Sequence, residues 1–167
     1  MSEGTRLAQR APGLRVPATL AALSDIAGFV MALARRGRLD KSAAYRLRLA
    51  VDELATNVVT HGYGVAGAPT DTATSPTSAD ASGSGGEILV TGGFDAERVW
   101  VRIEDTAPPF DPRDGCRAPT TDLPLERRRV GGLGVHLALT SVDEFAYDRL
   151  GGRNVSTLAI RTGPVRP

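Results

Sequence analysis

Three polar residues of this 167-residue chain stand four apart: Glu53, Asn57 and His61. On a helix advancing about 100° per residue they form one stripe. Leu47, Val51, Leu54 and Val58 gather on an adjoining side, so the stripe borders the apolar face, while Arg48, Asp52 and Thr56 mark the solvated face. A carboxylate and an amide at a half-buried margin need partners. One reading is a nucleotide site. Asn57 offers a neutral oxygen of the kind Mg²⁺ takes as a ligand, and Glu53, one turn earlier, could accept a proton from an attacking hydroxyl or water. The other reading is that both residues only bond to nearby loops, which is common on amphipathic helices.

Two later segments could complete such a site. Asp105 ends a predicted strand and precedes Thr106-Ala107-Pro108-Pro109-Phe110-Asp111-Pro112. A carboxylate there can accept from the exocyclic amine of a purine, or simply form a turn. Val130-Gly131-Gly132-Leu133-Gly134-Val135 opens an apolar stretch. Glycines let backbone N–H groups converge on an anion at a helix N-terminus, though glycine turns also precede ordinary helices. No Gly-Lys-Ser/Thr follows, so this is not a P-loop. Two helices come first where a dinucleotide-binding fold would need a strand.

The elements that must position these residues follow from periodicity. Residues 1–13 read as a loose leader and Leu14-Arg15-Val16 as a short strand. Leu20, Leu23, Ile26, Ala27, Val30 and Leu33 recur at helical spacing between Pro17 and Arg36, with Pro17 suited to the start and Gly37 to the end. Asp40 can cap a second helix over 41–61. Residues 64–86 are almost wholly Gly, Ala, Pro, Ser, Thr and Asp and read as a mobile insertion. Strands are expected at 87–94 and 98–104 around an Asp95-Ala96 turn, a helix at 131–141, and a strand pair at 142–150 and 154–161 around Gly151-Gly152. This order predicts an α+β, two-layer domain with helices on one face of a mixed, mainly antiparallel sheet.

Composition narrows the function classes. With 41% hydrophobic and 23% charged residues, the chain can build a core. A net charge of +1 removes the electrostatic footprint of a nucleic-acid binder. The single cysteine, Cys116, rules out an internal disulfide and argues against a Cys-based zinc site, and it reads as an incidental loop thiol. No apolar run reaches the roughly 20 residues of a membrane span, and Met1 to Gly13 lacks a secretory apolar core, so the expected compartment is the cytoplasm.

Taken in order, these segments resemble a known family. Leu49-Ala50-Val51-Asp52-Glu53-Leu54-Ala55-Thr56-Asn57 with His61-Gly62-Tyr63 is similar to the N box of the histidine-kinase-like (GHKL) ATPases, in the form used by anti-sigma-factor serine/threonine kinases. Glu104 to Pro112 resembles their first glycine box and Gly131 to Val135 their second, and Asp143-Glu144-Phe145-Ala146-Tyr147 with Asn154-Val155-Ser156-Thr157-Leu158 resembles their closing strands. The likeness covers residues 14–161, with 162–167 as a tail, and implies the two-layer fold of that class. It implies Glu53 as general base, Asn57 as Mg²⁺ ligand, Asp105 as acceptor of the adenine amine with Thr157 assisting, and Gly131, Gly132, Leu133, Gly134 and Val135 giving backbone to the phosphates. Residues 113–130, with Arg127, Arg128 and Arg129, would form the ATP lid, and His61 would give support. Ala107 departs from the family, which has glycine there, and sets a methyl group beside the base.

The resemblance implies ATP and Mg²⁺ as cofactors and a kinase that phosphorylates a small antagonist protein and sequesters a sigma factor, with a homodimer in prospect. The length leaves no room for the transducer of clamps and topoisomerases, or for the helix pair of a whole sensor kinase. An alternative from another class is a nucleotide-dependent protein-binding module without turnover. A third is a globular regulator that binds no nucleotide.

Overall fold

The computed structural model describes residues 11–64, 85–115 and 133–163. The chain runs β1 (Gly13–Pro17), a 3₁₀ turn (Leu20–Ala22), α1 (Leu23–Arg36), α2 (Lys41–Asn57), a π turn (Val58–Gly62), β2 (Glu87–Phe94) and β3 (Arg98–Asp105). It continues through a second 3₁₀ turn (Pro112–Gly115), α3 (Leu133–Ser141), β4 (Glu144–Leu150) and β5 (Arg153–Arg161). The strands form one open sheet in the order β1-β2-β3-β5-β4, and every pairing is antiparallel. The architecture is the expected α+β layer of helices on a sheet, with the mixed pairing resolved to antiparallel throughout the described strands.

Local sequence explains most of the boundaries. Asp40 caps α2 as expected, its Oδ1 accepting from the Ala43 N–H at 2.8 Å. Gly151 and Gly152 have φ of 55° and 79°. Positive φ at both central residues makes the tight turn whose twist suits a two-residue hairpin, and only glycine adopts it freely. Pro17 does not start a helix: it closes β1 opposite Glu87, and the next N–H, of Ala18, donates to Gly86 O at 2.6 Å. Regular α-helix therefore begins only at Leu23, after the 3₁₀ turn.

The core lies between the helices and one face of the sheet. Ile26, Val30 and Leu33 of α1 and Leu47, Val51 and Leu54 of α2 meet Ile88, Val90, Val99, Val101, Ile103, Leu158 and Ile160 of the strands. Truncating one of these to alanine costs about 2–5 kcal/mol. The opposite face of β3 carries Trp100, Arg102 and Glu104, with Glu104 between Arg102 at 3.1 Å and Arg153 at 3.3 Å. None of the described helices is long and apolar enough to cross a membrane.

Helix α2 touches α1, α3 and the sheet, which leaves it little solvated surface. Asp52, expected in water, is half-buried instead. Its Oδ2 accepts from Arg48 Nε at 3.2 Å, while Oδ1 is buried without a hydrogen-bond partner among the described residues. Burial pushes this carboxyl group above its ordinary pKa, with Arg48 pulling it back.

Candidate functional site

The site begins at the C-terminal end of α2. The helix stops at Asn57 and widens into the π turn Val58–Gly62. Single π turns inside or at the ends of helices recur at functional sites because the extra residue per turn redirects the chain. Here the widening ends regular α-helix at Asn57, four residues before the expected end at His61. It brings Gly62 so close to Ala107 that a Cβ at 62 would lie 2.9 Å from the Ala107 methyl. It also brings the Tyr63 hydroxyl to the Thr106 N–H at 2.9 Å and to its Oγ1 at 3.1 Å. The end of α2 is thus stitched to the end of β3 by two consecutive contacts.

Between these elements and the closing strand lies a cavity of about 190 Å³. Leu54, Asn57, Val58 and His61 line it from the helix, Ile103, Asp105, Ala107, Pro108, Pro109, Phe110 and Pro112 from β3 and its loop, and Asn154 and Ser156 from β5. An apolar slot with a few convergent polar groups is the usual make-up of a small-molecule site.

Asp105 is 3% exposed. Its Oδ1 accepts from the Ala107 N–H at 2.9 Å and from Asn154 Nδ2 at 2.8 Å. Its Oδ2 has no partner among the described residues, so the carboxylate keeps one acceptor for a ligand. That suits the amine of a purine. Asn57 is half-buried on the cavity wall, and its carboxamide is likewise without a partner among the described residues. His61 is exposed at the rim.

Glu53 does not line the cavity. Its carboxylate rests against Gly134 in the first turn of α3, where a Cβ would run into it. A helix N-terminus favours negative charge, so this is a suitable place for a carboxylate and for phosphate alike. The structure therefore brings Glu53 to the second glycine box, and Asn57 to the cavity that holds Asp105. Among the described residues no group of three His, Cys, Asp or Glu side chains gathers to cage a metal. A Mg²⁺ ion would be held by the Asn57 oxygen together with ligand phosphates.

The remaining predicted positions divide. Ala107 is buried with its methyl against Gly62, so that glycine takes up the group that distinguishes this chain from the family pattern. Val135 sends its side chain into the core, which leaves only its backbone to face a ligand. Leu133 is the first residue of α3. Gly131, Gly132, Cys116 and the lid arginines Arg127, Arg128 and Arg129 lie outside the described residues, as does most of the 64–86 insertion.

Thr157 is a correction. Strand residues alternate faces, and Asn154, Ser156, Leu158 and Ile160 take the helix side of β5. Thr157 is opposite Arg102 on the other face, so it does not assist Asp105. Asn154 and Ser156 stand there instead. The phase set by Leu158 and Ile160 was visible in the sequence and could have identified both. Asn154, which is 6% exposed, is the larger omission. Besides Asp105 it donates to the carbonyls of Ala107 and Pro108, both at 3.2 Å. Its Oδ1 accepts from Tyr147 Oη and Arg149 Nη1, both at 2.8 Å, and from the Phe110 N–H at 3.4 Å.

No relative among curated proteins matches the chain. The profile of the histidine kinase-like ATPase domain matches residues 16–160, from the end of β1 to the penultimate residue of β5. With that span matched and the site assembled from the same segments, the chain belongs to the histidine kinase-like ATPase domain family, whose members bind ATP.

Proposed function

We propose that this protein is an ATP-binding anti-sigma regulatory factor acting as a serine/threonine protein kinase. It phosphorylates a small antagonist protein and sequesters a sigma factor. The observation that carries this reading is the buried Asp105 carboxylate on the wall of an apolar slot that Asn57 also lines, with one oxygen bound and the other without a partner among the described residues. The slot suits adenine, and Asn57 lies on the side from which α2 leads to Glu53 and the N-terminus of α3.

In the reaction proposed, the substrate hydroxyl oxygen bonds to the γ-phosphorus of ATP. The bond from that phosphorus to the β–γ bridging oxygen breaks, ADP leaves, and the hydroxyl proton passes to Glu53. Bound Mg²⁺ supplies neutralisation of phosphate charge. Asn57 would hold the ion, the first turn of α3 would offer backbone N–H groups, and Glu53 lies beside them against Gly134.

The second reading, a nucleotide-dependent binding module without turnover, draws on the position of Glu53 outside the cavity lining. Transfer of labelled phosphate from ATP to a candidate antagonist separates the two. Under the kinase reading Glu53→Gln cuts transfer by about 10²-fold or more and spares ATP binding. Asn57→Ala weakens both Mg-ATP affinity and transfer. A wild type that binds ATP and the antagonist but transfers no phosphate leaves the module reading in place.

A further inference from the structure

We infer that Asn154 is the positioning residue that makes the cavity select an amino-purine over an oxo-purine, an inference that rests on the nucleotide reading above. The amide can be oriented in only one way. Its Oδ1 faces Arg149 Nη1 and the Phe110 N–H, which only donate, together with the Tyr147 hydroxyl. Its Nδ2 faces a carboxylate oxygen and two backbone carbonyls, which only accept. A flipped amide would set N–H against guanidinium and oxygen against carboxylate, so the neighbours fix the assignment.

Asn154 in turn fixes Asp105. With the Ala107 N–H and Asn154 Nδ2 both on Oδ1, the carboxylate cannot rotate without breaking a buried hydrogen bond, and Oδ2 is left as a pure acceptor on a residue that lines the cavity. A purine with an exocyclic amine satisfies it. A purine with a carbonyl at that position sets two acceptors against each other in a dry slot, and a site built to bond one group rejects the analogue lacking it. Arg149 Nη1 also donates to Ala107 O at 3.0 Å, so the loop that floors the slot and the amide that orients Asp105 share one cation. Without the Asn154 amide, Asp105 keeps a single donor on Oδ1 and can turn, and water can bridge it to a carbonyl.

The test is the affinity of Mg-ATP and of Mg-ITP, which differ in the amine and the carbonyl, for wild type, Asn154→Ala and Tyr147→Phe. The wild type should prefer ATP by about 10²-fold or more. Asn154→Ala should reduce that preference about tenfold or more, and Tyr147→Phe, which removes one donor from the amide oxygen, about threefold. A merely structural role would lower both affinities together and leave their ratio unchanged, and that result overturns the inference. Should Asn154→Ala fail to fold by its melting curve, an unchanged ratio in Tyr147→Phe overturns it as well. A wild type that binds ATP and ITP equally defeats the selectivity while the nucleotide site stands. A wild type that binds neither defeats both.

Discussion

At the scale of single residues, the proposed function separates recognition from chemistry. Asp105 and Asn154 are buried and bonded to each other, as a group that must discriminate between ligands has to be, while Glu53 and Asn57 are half-buried and free of hydrogen bonds to the described residues. Beside them stands a residue with no part in the reaction. Burial raises the pKa of Asp52 above that of the unfolded chain, so folding favours its protonated form. Its contribution is most favourable below the unfolded value near 3.8 and is lost as pH rises through the folded value. Asp52→Asn removes that penalty, keeping an oxygen for Arg48. The variant should melt higher than wild type at pH 7, by a few degrees at most, about the shift expected for 1 kcal/mol in a domain of this size. The gain should disappear below about pH 3.8, the ordinary aspartate value. Thermal melts of both proteins across that range check it, and a lower melting temperature at pH 7 would show that the Arg48 ion pair outweighs the burial.

At the scale of elements, three junctions set the geometry: α2 to α3 through Glu53 and Gly134, the π turn to the end of β3 through Gly62 and Tyr63, and β3 to β5 through Asp105 and Asn154. The first gives a variant that parts chemistry from stability. Gly134→Ala places a Cβ where the Glu53 carboxylate lies, and that carboxylate is the flexible end of a side chain, so it can move aside. Alanine also suits a helix better than glycine. Stability should change by less than about 1 kcal/mol, while displacement of the base should lower phosphate transfer by about 10²-fold. Denaturant unfolding and the transfer assay on the same variant decide it: unchanged transfer would mean that the contact does not place Glu53.

The elements were also the part most legible in the sequence. Periodicity, glycine turns and apolar runs located the five strands and three α-helices of the described residues, and Asp40, Gly151 and Gly152 acted as their chemistry requires. Two features were not legible, and a third was legible but overridden. Pro17 suits both a helix start and a strand end, and only the pairing with Glu87 decides. The π turn leaves no mark on a 100° wheel, which therefore ran regular α-helix on to His61. Thr157 was assigned by likeness to the family, when the alternation of Leu158 and Ile160 already set it on the far face. Glu53, Asn57 and Asp105 were singled out by the ordered likeness to the family, since each alone reads equally as a loop or turn residue. The Asn154 network could not be identified, since its partners come from separate strands and a loop.

At the scale of the whole molecule, one antiparallel sheet with helices on a single face leaves the end of β3 and the end of α2 gathered about one opening, while the start of α3 lies against Glu53, one turn before Asn57. The family match over residues 16–160 spans the segments that supply these residues. The central claim is that this opening binds adenine nucleotide through Asp105. It is tested most directly by calorimetric titration of the full chain with Mg-ATP, beside the Asp105→Ala variant, with melting curves to show that both are folded. The account predicts saturable one-site binding by the wild type and at least about a tenfold loss in the variant, the scale set by removing a charged hydrogen-bond partner. Absence of binding by the folded wild type at millimolar Mg-ATP, or equal affinity in folded Asp105→Ala, would contradict it.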